Sequence, residues 1–165
     1  MSVEPTDPAE RLVVEHLDRL GVAYELMPCD PELADTAAFC AAYGVAPEDS
    51  ANTIVVAGKP ETIGHVACVV LATTRLDVNK AVRQRLGAKK ASFASATETL
   101  ALTGMMIGGV TVFGLPPDLR IWVDAAVMDR AEIVLGGGSR SMKVRIAPDV
   151  LRGVPRLEVV DGLAS

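Results

Sequence analysis

The spacing of hydrophobic positions changes along the chain, and each change marks an element. Leu12, Val13, Leu17 and Leu20 recur at helical spacing. Asp7, Pro8 and Glu10 supply a cap, a first-turn proline and a capping-box partner, and Gly21 supplies the stop. VAYEL (22–26) reads as a short strand. Thr36 opens a small helix, TAAFCAAY, which Gly44 closes; its alanine-rich face suits close packing. NTIVVAG (52–58) and HVACVVLATT (65–74) are β-branched runs that predict strands, joined through Lys59-Pro60-Glu61-Thr62 as a hairpin-like loop. Asp77 caps a helix reaching Leu86, ended by Gly87. ASFA (91–94) is a short strand. Ser95 and Glu98 form a capping box for a helix ending at Gly104. RIWVD (120–124), EIVLG (132–136) and MKVRI (142–146) are further strands, Pro148 begins a short helix, and LEVV (157–160) closes the pattern.

Helices and strands are mixed, with two hairpins. This favours an α+β fold: a mixed, largely antiparallel β-sheet covered by helices. No linker or repeat interrupts residues 1–165, which predicts one domain, with residues 1–8 expected to be disordered.

Composition narrows the functional classes. No apolar run reaches the ~18–20 residues needed to cross a bilayer, and the acidic start MSVEPTDPAE lacks the basic and apolar regions of a signal peptide. A cytoplasmic protein with no membrane partner is expected. Cys29, Cys40 and Cys68 are odd in number and match no metal-ligand spacing, so they read as small buried residues. Residues 1–50 hold 11 acids and two bases, a net of −9, whereas residues 51–165 hold 10 acids and 14 bases, a net of +4. Lys80, Arg83, Arg85, Lys89 and Lys90 cluster, as do Arg140, Lys143 and Arg145. Such groups either attract a phosphate backbone or form a solvated face.

Conventional catalytic motifs are absent. There is no phosphate-loop, G-x-S-x-G or H-E-x-x-H pattern, and Gly136-Gly137-Gly138 does not continue as a dinucleotide fingerprint. His16 and His65 have no nucleophile pattern beside them. What stands out is MMIGGVTVFGLP (105–116), an apolar segment with three glycines. The pair Gly108-Gly109 presents amides with no side chain in the way, either as a tight turn or as donors to a carbonyl or oxyanion.

TGMMIGGVTVFGLP resembles the T-G-x-x-x-G-G-x-x-P-x-G loop of the YbaK/EbsC family, related to the editing insertion of prolyl-tRNA synthetases. Four other stretches are similar in the same order: GVAYEL to the opening strand, DTAAFCAAYGVAPEDSANTIVV to a helix and the x-K-T-L strand, TRLDVNKAVRQRLGAKKASFAS to the D-L-K-K helix, and RIWVDAAVMDRAEIVLGGGSRSMKVRI to paired strands and a G-G-x-R-G turn. The resemblance covers nearly the whole chain. It implies a freestanding deacylase that cleaves the ester between a wrong amino acid and the terminal adenosine of tRNA, needing neither metal nor nucleotide cofactor. Gly108 and Gly109 would hold the aminoacyl carbonyl while a positioned water attacks. The basic segment 80–90 would meet the acceptor stem through phosphates, and a synthetase is a further expected partner.

Three departures matter. The family lysine of x-K-T-L falls on Asn52, which can hydrogen-bond but carries no charge. The loop proline falls on Val112. An aspartate of some members falls on Lys143, which reverses a charge near the expected cleft and either restores the missing cation or accompanies a site that only binds tRNA ends or nucleotides. Thr36 reads as a helix cap or as a cleft hydroxyl. Asp124 reads as a turn cap or as the partner of a substrate amine. Ser139 and Arg140 read as a hairpin turn or as phosphate contacts, and Met106 as lining for a small side chain. Thr53 and Val110 complete the substrate-binding set.

Overall fold

The computed structural model describes residues 3–165. In chain order the elements are α1 (Pro8–Leu20), β1 (Glu25–Pro28), α2 (Thr36–Tyr43), β2 (Ala51–Lys59), β3 (His65–Leu71), a π-helical segment Val78–Val82 that runs into α3 (Arg83–Leu86), β4 (Lys90–Phe93), α4 (Ala96–Thr103), β5 (Arg120–Asp124), α5 (Ala125–Met128), β6 (Ile133–Gly136), β7 (Met142–Ile146) and β8 (Leu157–Val160). Of the residues expected to be disordered, 1 and 2 lie outside the described residues. Val3 packs against the core, and Asp7 accepts the Ala9 amide at 2.8 Å as the cap of α1.

The strands form two sheets rather than one. β4-β2-β3-β5-β8 is mixed: β2 runs antiparallel to β3 and β4, and β5 lies parallel to both β3 and β8. β1-β7-β6 is antiparallel. A parallel bridge between Ser50 and Val134 joins the sheets at the start of β2. The first strand falls on residues 25–28 rather than 22–26, because pairing Glu25 with Arg145 and Pro28 with Met142 sets its register. Local β-propensity cannot encode that choice.

β3 shows why its sequence is continuously apolar. Ala67, Val69 and Leu71 point to one core with Val13 and Leu17 of α1 and Val144 of β7. Val66, Cys68 and Val70 point to a second core with Val78, Val82 and Leu86 beneath the opposite face. A strand covered on both sides has no polar face to alternate with. A third, smaller cluster packs Phe39 and Cys40 of α2 against Val134 of β6. The three cysteines are free and buried; burial pushes the Cys68 thiol up to about 12.

The capping boxes of α1 and α4 form, and the apolar positions of α1 are buried or half-buried with one exception. Val13 and Leu17 are fully buried, but Leu12 is exposed. Glu10 is buried because its carboxylate closes the capping box and accepts the Ser139 hydroxyl. The Nδ1 atom of His16 accepts the Gly114 amide at 2.9 Å, which requires a neutral imidazole. Desolvation, with the charge of Arg19, lowers its pKa below 6.5. The unfolded chain therefore binds the proton first as pH falls, and this contribution to stability is present above about pH 6.5 and lost below it, toward the lower folded value. Thermal melts across pH 5–8 should show a destabilising slope below that point that is reduced in His16→Gln, whose amide can accept without titrating. Equal slopes in the two proteins would refute the assignment.

Candidate functional site

The first turn of α2, the start of β2, the glycine loop and the β6–β7 hairpin surround a cavity of about 330 Å³. Each part reaches it for a local reason. Asp35 occupies the cap position of α2, but its carboxylate makes no cap bond; it turns outward, 75% exposed, to Arg140 at 3.2 Å. Thr36 follows as the first helical residue, and its hydroxyl donates to Asn52 Oδ1 across the cavity wall at 2.7 Å. Thr36 is therefore not the cap; it is the cleft hydroxyl. With Oδ1 occupied, the Asn52 amide group keeps two N–H donors. The Thr53 hydroxyl, in the same wall, is buried with no partner among the described residues.

The glycine loop comes so close to the 136–138 turn that side chains are excluded. A Cβ on Gly109 would sit 2.5 Å from the Ser139 carbonyl, and one on Gly136 would sit 2.5 Å from the Val110 oxygen. The Gly138 amide donates to the Gly109 carbonyl at 2.7 Å. The two glycine-rich segments are thus two halves of one backbone-to-backbone contact. Gly108 takes φ +97°, a left-handed conformation, and faces the cavity.

Two cations hold this loop. Arg140 donates to the carbonyls of Pro31 at 2.9 Å and Ile107 at 3.0 Å. Lys143, the second residue of β7, is 8% exposed and donates through Nζ to Ala34 O at 3.0 Å and Gly108 O at 2.8 Å. Its ammonium also lies 5.3 Å from the centre of the Phe39 ring. Burial is the main cause lowering its pKa; the nearby Arg140 adds to this, and Asp35 opposes it.

The cavity brings together Thr36, Asn52, Thr53, Gly108, Val110 and Lys143. Four other expected site residues are not in its lining. The Gly109 amide is committed to Met106 O at 2.9 Å, so the loop offers Gly108 rather than a pair of free amides. Met106 is 56% exposed. The Asp124 carboxylate is buried and accepts the Leu163 amide at 3.0 Å and the Ala164 amide at 3.4 Å, anchoring the C-terminal segment. The Ser139 hydroxyl is taken by Glu10 and by the Ser141 amide. Ile54, at the last position of the x-K-T-L stretch, supplies apolar wall together with Phe39, Ile107, Val134 and Leu135, none of which is a fixed position of the family motifs.

The basic segment 80–90 lies outside the cavity. Arg83 donates to the carbonyls of Asn79 and Ala88, while Arg85 pairs with Glu158 at 2.6 Å and stacks 5.2 Å over Trp122. Lys80, Lys89 and Lys90 are exposed and form no salt bridge among the described residues. Ile54 lines the cavity and packs against the core beneath this segment, whereas Ala51, Val110 and Leu135 of the lining belong to the core on the opposite face. No helix among the described residues is long and apolar enough to cross a membrane, and no cluster of three or more metal-binding side chains occurs among them.

Comparison with known proteins fits this geometry. A solved structure described as that of a candidate trans-editing enzyme for prolyl tRNA synthetase superimposes with a TM-score of 0.81 at 23% identity, over 95% of this chain and 98% of that one. The structure of a hypothetical protein superimposes with a TM-score of 0.82 at 24% identity, over 93% of this chain and 99% of the other. At these identities the likeness establishes the mixed α+β fold. The sequence pattern of the aminoacyl-tRNA editing domain matches residues 30–154, which takes in every segment that lines the cavity. The chain belongs to the aminoacyl-tRNA editing domain family.

Proposed function

We propose that this protein is a trans-editing hydrolase that deacylates mischarged tRNA, cleaving the ester at the terminal adenosine in the cytoplasm after a synthetase has released the error. The observation that carries the reading is the cavity itself. In a chain of the editing family, its apolar walls at Phe39, Ile54 and Val134 leave room for a small acyl group beside a polar end at Thr36, Asn52 and Gly108. The Gly108 amide, which makes no backbone bond among the described residues, would donate to the aminoacyl carbonyl. Asn52, held by Thr36, would orient the attacking water through its free N–H donors or bind the ribose. The Thr53 hydroxyl is a further contact for the acyl group. Exposed Lys80, Lys89 and Lys90 would meet acceptor-stem phosphates, with Arg83 and Arg85 contributing mainly to the surface they pack on.

A binding module for tRNA ends is the second reading. It is favoured by the neutral Asn52 at the family's lysine position and by the commitment of the Gly109 amide to its own loop. A panel of tRNAs carrying each near-cognate amino acid separates the two. The hydrolase reading expects enzyme-dependent release of a small amino acid from at least one member. Saturable, salt-sensitive binding with no turnover across the whole panel would overturn it in favour of the module.

A further inference from the structure

Lys143 is a buried cation without an anion. Its Nζ donates to two carbonyls, and an ammonium has three donors. No carboxylate lies within salt-bridge distance of it among the described residues; the nearest acid that influences it, Asp35, is paired with Arg140 at the rim. A lone buried charge is costly unless an interaction compensates it. Two carbonyl dipoles and the Phe39 ring compensate part of the charge, and Lys143 is among the residues that line the cavity. The Gly109 amide is unavailable, and Asn52 carries no charge. Among the described residues, Lys143 is the one side-chain cation lining the cavity.

We propose that the Lys143 ammonium receives the anionic oxygen that forms during ester cleavage, as a catalytic residue supplying the charge that Asn52 lacks. This rests on the hydrolase reading and assigns its source of oxyanion stabilisation. Water attacks the acyl carbon, a carbon–oxygen bond forms, and the carbonyl electron pair moves onto the carbonyl oxygen beside Gly108 and Lys143. The pair then returns, the bond to the ribose oxygen breaks, and that oxygen takes up a proton from the attacking water. The products are a free amino acid and a ribose hydroxyl, with the second water-derived proton lost to solvent. The carbonyl of Gly108 accepts from the same Nζ, so loop and cation are set in one geometry before substrate arrives. Burial, which favours the neutral amine, predicts that this ion is lost at a lower pH than an exposed lysine would be.

The test compares wild type with Lys143→Gln, which keeps an N–H donor for the carbonyls, and with Lys143→Arg. Turnover on the cleaved tRNA, thermal stability and binding of two adenosine analogues are measured. One analogue carries an alanyl phosphonate at the 3′ position and the other a neutral carboxamide. Lys143→Gln should lower kcat roughly 100-fold with KM within about threefold of wild type, and Lys143→Arg should restore part of it. Wild type should prefer the phosphonate, and Lys143→Gln should not. The alkaline fall in wild-type kcat should vanish in Lys143→Gln but persist in a Cys29→Ala, Cys40→Ala double variant; with Asp35 and Arg140, these thiols are the titratable and charged groups that act on Lys143. Wild-type turnover and phosphonate preference in Lys143→Gln would overturn the proposal, as would a fall in kcat with pH profile and preference unchanged, since that is loop support alone. A wild type that cleaves no tRNA yet prefers the phosphonate through Lys143 would sink the hydrolase reading while the anion site stands. Cleavage that ignores Lys143 would do the reverse, and neither cleavage nor preference would defeat both.

Discussion

Gly109→Ala is expected to lower kcat/KM for deacylation by about 100-fold or more and to destabilise the fold. The residue's φ is not positive, so backbone strain is not the cause. The added Cβ would lie 2.5 Å from both the carbonyl carbon and the oxygen of Ser139, and 2.8 Å from its Cα. These are main-chain atoms and cannot rotate aside. Relief needs a shift of about 1 Å in the glycine loop or the facing turn, and a misplacement of that size is worth about 100-fold in rate. Both sides are also fastened: Gly138 donates to Gly109, Ser139 is tied to Glu10, and Arg140 bridges Pro31 and Ile107. The strain would reduce stability by roughly 1–3 kcal/mol, as for an overpacked core. From the glycine pair alone, the same substitution is expected to remove activity and spare the fold. Steady-state kinetics with a parallel thermal melt decides between them, and a variant that matches wild type in both would show that the loop does not need its backbone contact.

Phe39→Ala should have the largest effect on stability. Phe39 is 1% exposed, stacks on Tyr43 at 5.0 Å between ring centres, and forms a cavity wall under Lys143. Truncating a buried phenylalanine costs about 3–5 kcal/mol, a large part of the ~5–15 kcal/mol that holds a domain folded. The space it leaves opens into the cavity, so larger acyl groups would gain entry and selectivity for small ones should narrow about tenfold. Urea denaturation gives the first quantity and the mischarged panel the second. A change in stability below about 1 kcal/mol would mean that α2 is not held to β6 by this side chain.

Much of the site can be traced to particular stretches of sequence. The Ser95–Glu98 capping box, the stops at Gly21, Gly44, Gly87 and Gly104, and the β2–β3 hairpin are local signals, and each is present in the fold. Thr36, Asn52, Gly108 and Lys143 stand in family motifs and do meet at one cavity. Asp124 and Ser139 also stand in or beside such motifs, but their side chains are consumed by the C-terminal segment and by Glu10. Neither partner is near in sequence, being 39 and 129 positions away.

The amino-acid sequence by itself determined where helices start and stop and which runs become strands, because caps, turns and periodicity act over a few residues, and its motifs carry the family resemblance. Tertiary structure alone decided that the strands divide into two sheets, that the Gly109 amide is spent on its own loop while Gly108 faces the cavity, and that Lys143 is an isolated buried cation. Those outcomes depend on contacts between residues far apart in the chain, where packing geometry, rather than local preference, settles which polar groups find partners within the fold and which do not.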